Sequence, residues 1–96
     1  MYILVTYDVD TKTRAGERRL QKVAKICMDY GQRVQNSVFE CVLTEVQLVQ
    51  LKDKLETLID SENDSIRIYF LNKNENRRII KLGVDDSVDV EGTLIV

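Results

Sequence analysis

Asp8 is the residue with the clearest chemical potential. It stands near the end of the apolar run YILVTYDV (residues 2–9), and Arg14, Arg18 and Arg19 follow shortly after it. A carboxylate is a hard oxygen ligand of the kind that Mg²⁺ takes, with Mn²⁺ as an alternative. Guanidinium groups close behind it suit phosphate, which they grip with paired N–H donors. The chain has no histidine, so the commonest general base is missing, and with it the Ser–His and Cys–His nucleophile pairs. Any catalysis must rest on carboxylates, a metal or positioned water. Asp8 also has a second reading, as a residue that terminates the strand, and position alone leaves both open.

The elements that must carry these residues follow from periodicity. Residues 2–9 are β-branched and aromatic, and alternation puts Ile3, Val5, Tyr7 and Val9 on one face and Tyr2, Leu4, Thr6 and Asp8 on the other. A continuing strand would put Asp10 on the face of Asp8, but with Thr11 and Thr13 it reads first as a loop that caps a first helix. From 13 to 30 the period changes to three and four, with an apolar stripe of Leu20, Val23, Ala24, Cys27 and Tyr30, and Gly31 closes the helix. Residues 33–43 return to strand character, with a bend at Asn36-Ser37 dividing them. Thr44 is an N-cap for a second helix over 45–60, striped by Leu48, Leu51, Leu55, Leu58 and Ile59. Strands are expected again at 65–71 and in RRIIKLG, before an acidic segment and a terminal TLIV. The order β-α-β-β-α-β is a ferredoxin-like α+β plan, with two helices on one face of an antiparallel sheet.

Such a plan leaves the second sheet face bare. Tyr2, Leu4, Val38 and Val42 are its expected residues, and an exposed apolar sheet on so small a domain favours a homodimer. The terminal TLIV is a candidate strand for the partner's sheet edge. We divide the chain into a domain over 1–82 and an acidic tail with the terminal strand over 83–96. In a two-fold assembly Asp8 and its mate would converge, and two facing carboxylates call for a cation or a shared proton between them.

The net charge of −2 conceals segregation. Residues 12–33 hold seven basic groups against Glu17 and Asp29, and residues 67–81 hold five against Glu75, while residues 44–65 and 85–91 are acidic. A basic face on an acidic protein still attracts a polyanion, because the local field decides. Solvated helix charges are the plainer explanation, and the neighbouring Asp8 tips the reading of Arg14, Arg18 and Arg19 towards phosphate contacts. Ser37 and Phe39 are further candidates for a nucleotide backbone or base, although Phe39 reads first as packing. Cys27 and Cys41 lie in apolar-periodic segments without a CxxC spacing and read as core thiols of a reducing, cytoplasmic setting. The N-terminal run is too short for a membrane span and lacks a signal-peptide pattern. There is no Walker A loop, dinucleotide fingerprint, zinc pattern or aromatic-rich RNA-recognition strand.

The segments YDV (7–9), YGQRVQNSVFECVL (30–43) and DSIRIYFL (64–71), with the arginine-rich first helix between the first two, closely resemble the small CRISPR-associated Cas-two family. The resemblance covers roughly residues 1–82. It implies a ferredoxin-like homodimer, antiviral defence, and membership with the Cas-one integrase in a spacer-acquisition complex. It also implies a metal-dependent endonuclease on double-stranded DNA or RNA, or else a non-catalytic scaffold bridging the integrase subunits. By position, Asp8 matches the family's metal-coordinating aspartate, with Tyr7 beside it, and Arg33 and Phe39 match positions linked to activity. Arg14, Arg18 and Arg19 carry over as backbone contacts. A small-molecule regulatory domain on the same fold is a third class, distinguished by a lack of salt-dependent nucleic-acid binding.

Overall fold

The computed structural model describes residues 1–71 and 78–84. Its elements are β1 (Tyr2–Asp8), α1 (Arg14–Tyr30), β2 (Gln32–Gln35), β3 (Val38–Val42), α2 (Glu45–Leu58), β4 (Ser65–Phe70) and β5 (Ile79–Gly83). The strands form one antiparallel sheet in the order β2-β3-β1-β4-β5. This is the ferredoxin-like α+β arrangement, with β5 added as a hairpin partner of β4. The terminal TLIV, expected as a strand, and most of the acidic tail lie outside the described residues.

β1 is central because it is apolar on its helix-side face for its whole length. Ile3, Val5 and Tyr7 are buried, and Ile3 and Val5 stand between Cys41 and Phe39 of β3 and Phe70 and Ile68 of β4. Val23 and Cys27 of α1 and Leu48, Leu51 and Leu55 of α2 close the same core. Thr13 caps α1 by accepting the Gly16 N–H at 3.0 Å. Thr44 and Gln47 form a reciprocal capping box at the start of α2. The helix ends at Leu58, short of the expected 60, and Ile59 leaves it to join the core. Gly31 ends α1 as expected, but not through a left-handed turn. Its backbone is extended, and a Cβ there would run into the Glu40 carbonyl oxygen and Cys41 Sγ.

The opposite sheet face carries no helix among the described residues. Tyr2, Leu4, Thr6 and Asp8 lie on it, flanked by Val38, Glu40 and Val42 on one side and Ser65, Arg67 and Tyr69 on the other. Val42 is 78% exposed. No helix among the described residues is long and apolar enough to cross a membrane.

One buried charge ties the layers together. Asp64, fully buried at the turn before β4, accepts the Arg19 Nε–H at 2.8 Å, the Asp60 N–H at 2.9 Å and the Asp10 N–H at 3.0 Å. Its carbonyl accepts the Val84 N–H at 2.8 Å. Burial pushes the Asp64 carboxyl up, but the Arg19 guanidinium and the two backbone N–H groups outweigh it and hold the group below the usual carboxylate range.

Two outcomes follow for stability. A carboxyl that ionises more readily when folded stabilises the protein fully above the unfolded value, and that contribution is lost as pH falls through about 4 towards the lower folded value. Urea midpoints should therefore fall from about pH 5 to 3 in the parent protein, and Asp64→Asn should flatten part of that slope while lowering the midpoint at pH 7. Gly83 has φ +79°, and a Cβ there would strike the Asp64 carbonyl oxygen. Gly83→Ala should cost more than about 1 kcal/mol in the same assay.

Candidate nucleic-acid and metal site

Asp8 is the last residue of β1, and alternation brings it to the open face, where it is exposed. Across the ladder it pairs with Ser65, and the next same-face pair on this side is Thr6 with Arg67. These residues, with Tyr7 and Tyr69, line an open depression of about 310 Å³. The Arg67 guanidinium reaches the Tyr69 hydroxyl at 3.4 Å. The depression thus combines one carboxylate, hydroxyl groups and a guanidinium. That set has the chemistry for a phosphate beside a cation: a carboxylate is a hard oxygen ligand and a guanidinium a donor to phosphate oxygens. Elsewhere on this face Glu40 accepts the Tyr2 hydroxyl, which raises the phenol pKa.

Tyr7, Arg33 and Phe39 come together on the other side of the sheet. The Tyr7 and Phe39 rings stack with centroids 6.1 Å apart, and the Arg33 guanidinium lies 5.1 Å over the Phe39 ring. The Tyr7 hydroxyl donates to the Asn36 carbonyl at 3.2 Å. Burial raises the Tyr7 phenol pKa against the pull of Arg33. Phe39 is wholly buried, so its packing role is evident, and a base cannot stack on it without opening the core. The four residues that the resemblance joins as one catalytic group are therefore split, with Asp8 facing away from the other three. Ser37 is half-buried in the β2–β3 turn, where its carbonyl accepts the Tyr7 N–H at 3.1 Å.

The three arginines of α1 also separate. Arg14 and Arg18 are exposed on the helix, and the 3.6-residue period aligns them with Lys22 and Lys25 in one stripe. Arg19 turns the other way, and its guanidinium is bound to Asp64. The structure thus gives Arg19 an internal carboxylate partner where the sequence reading assigns it a phosphate. Asp10 is a loop residue, as expected, and its carboxylate accepts the Lys12 N–H at 2.9 Å.

Ser65, Arg67 and Tyr69 join the site although sequence reasoning passed over them. Their alternation with Ile66, Ile68 and Phe70 shows that they face away from the core. Their position beside Asp8 depends on the β1–β4 register, which periodicity does not encode. Cys27 and Cys41 are buried and free, and burial pushes their thiols up to about 12 and about 11, so neither is a ready nucleophile. Among the described residues there is no group of three or more acidic, cysteine or histidine side chains that could hold a metal ion. Asp8 offers one carboxylate of the kind a divalent ion takes, and the other residues lining the depression add no second acid to it.

Comparison with known proteins agrees over nearly the whole chain. The family model described as CRISPR associated protein Cas2 matches residues 1–79. The chain is 52% identical over 95 residues to a Halalkalibacterium halodurans protein named CRISPR-associated endonuclease Cas2, covering 99% of each. It is 50% identical over 96 residues to CRISPR-associated endoribonuclease Cas2 1 of Moorella thermoacetica, covering 100% of each. The crystal structure of Streptococcus pyogenes Cas2 at pH 6.5 superposes with a TM-score of 0.71 at 58% identity, covering 86% of this chain and 100% of that one. With its central strand ending in an exposed aspartate, its ferredoxin-like sheet and these relatives, the chain belongs to the CRISPR associated protein Cas2 family.

Proposed function

We propose that this protein is a divalent-metal-dependent endonuclease that works as a homodimer on nucleic acid during CRISPR spacer acquisition. The observation that carries the reading is Asp8, an exposed carboxylate at the end of the central strand, beside Ser65 and Arg67 on the face without helices. The endonuclease and endoribonuclease names of the relatives support a nuclease role in CRISPR. Two copies meeting through their open sheet faces would cover Leu4, Val38 and Val42 and bring two Asp8 side chains towards one axis.

In that assembly the paired Asp8 carboxylates would hold Mg²⁺ or Mn²⁺. Such an ion supplies Lewis acidity and lowers the pKa of bound water. Asp8 anchors the ion. Arg67 binds and orients the phosphodiester from the neighbouring register position, and the hydroxyls of Ser65 and Thr6 complete the polar wall. Arg14 and Arg18, on the adjacent helix, hold more distant phosphates.

The second reading is a dimeric scaffold bridging Cas-one integrase subunits on DNA. Asp8 is the one acid among the described residues that line the depression, which is sparse for a nuclease that grips both the attacking and the leaving oxygen, and that observation favours the scaffold. Asp8→Ala separates the two. Cleavage of duplex DNA or RNA in Mg²⁺ should fall by at least about 100-fold, equivalent to about 2.7 kcal/mol of transition-state stabilisation. Unchanged cleavage would point to a contaminant and leave the scaffold. The dimer has its own test. Val42 is so exposed in the single chain that Val42→Asp should leave folding intact, while sedimentation should show the dimer shifting to monomer. A dimer of undiminished affinity would exclude the sheet-face interface.

A further inference from the structure

We propose that Asp64 is a positioning residue for Asp8, holding the strand end at the register a divalent ion requires; the proposal rests on the metal reading of Asp8 given above.

The register of β1 with β3 stops short of Asp8, whereas that with β4 reaches it. β1 is bonded to β3 through Thr6, opposite Val38, and a last bond runs from the Tyr7 N–H to the Ser37 carbonyl. Asp8 itself pairs with Ser65 of β4. Asp64 immediately precedes Ser65, and its Oδ1 accepts the N–H of Asp10 at 3.0 Å. The acid is therefore bracketed, by a ladder partner next to Asp64 in sequence and by a direct bond from Asp64 two residues further on. Asp10 passes the constraint forward, because its own carboxylate accepts the Lys12 N–H just before the Thr13 cap of α1. The start of α1 packs so closely that a Cβ on Gly16 would collide with the Asp10 carbonyl oxygen.

Asp64 also binds the helix. Its Oδ2 accepts the Arg19 Nε–H at 2.8 Å, and Arg19 Nη2 lies 3.4 Å from Oδ1. One carboxylate thus sets the distance between the acid at the end of β1 and the exposed arginines at the start of α1. A buried ion pair generally adds little stability over an apolar filling of the same volume. What it supplies here is direction: a carboxylate accepts at fixed angles from named donors, which packed methyl groups cannot do. Supporting hydrogen bonds of this kind orient the groups that touch a metal.

The test uses the full chain as its dimer. In Asp64→Asn, the Asp10 amide should exchange with solvent about 10-fold faster or more. Mn²⁺ alone, titrated without nucleic acid, should broaden the Asp8 and Ser65 amide resonances with a half-saturation raised about 10-fold, and kcat for cleavage should fall by about the same factor with KM within about twofold. Leu48→Ala, at the far end of α2, controls for destabilisation and should leave the Mn²⁺ half-saturation as in the parent. Arg19→Ala provides a second variant if Asp64→Asn does not fold. It should reproduce the Mn²⁺ shift without reducing the salt dependence of DNA binding, whereas a phosphate-contacting arginine would lower that slope by about one unit. Folded variants with parental Mn²⁺ half-saturation and kcat would overturn the positioning role alone. A parent protein in which Mn²⁺ leaves the Asp8 amide unperturbed would remove the metal reading, and this proposal with it.

Discussion

A carboxylate with no exposure to solvent must find donors inside the protein, and the way Asp64 does so shapes the end of the molecule where Asp8 lies. Its oxygens collect a guanidinium from α1, an N–H from the loop after β1, and an N–H from the turn after α2. These segments are far apart in the chain, and each would otherwise leave a polar group to be satisfied by water. Removing such a group from water costs several kcal/mol unless its bonds are replaced, so the contacts are mutually obligatory. The result is a fixed junction between both helices and the central strand. β5 joins the same junction, because Val84 donates to the Asp64 carbonyl and Gly83 leaves no room for a side chain beside it.

The rest of the architecture divides labour between two sheet faces. The helix side is apolar and buried, and it takes in Tyr7 and Phe39, two residues that the family resemblance links to activity. Their contacts hold the β2–β3 hairpin against β1 from the helix side. The Tyr7 hydroxyl bonded to the Asn36 carbonyl and the Arg33 guanidinium over Phe39 both act at that hairpin. The open side mixes apolar residues with a polar end. Leu4, Val38 and Val42 suit burial against another surface, while Asp8, Ser65 and Arg67 suit ions and phosphate. A charged group at the rim of an apolar contact keeps its water or acquires a counter-ion, which is the setting a hydrated divalent ion needs.

Electrostatics are likewise local. The overall charge is slightly negative, yet the exposed stripe of Arg14, Arg18, Lys22 and Lys25 presents one sign along α1. A polyanion close to the surface responds to that local stripe more than to the net charge. Arg19 shows the limit of counting charges along a sequence. It belongs to the same basic run, but its side chain points inwards and is neutralised by Asp64.

Periodicity alone determined the elements, their order and their buried faces, because a side chain's choice between core and solvent repeats with the backbone period. Val5, Val23 and Leu51 lie where that rule puts them, and the Thr44 cap and the Asn36-Ser37 bend were legible from local chemistry. Asp8 could be placed on the open face for the same reason. The tertiary structure decided what no local pattern carries. Residues 60–64, DSEND, have only the composition of a polar turn, and long-range contacts make Asp64 a buried acceptor, since its partners Asp10 and Arg19 are 54 and 45 residues away in sequence. Gly31 is needed because β3 crosses close to it, although its φ is ordinary. Ser65 and Arg67 became neighbours of Asp8 through strand register, which follows from the whole set of cross-strand contacts.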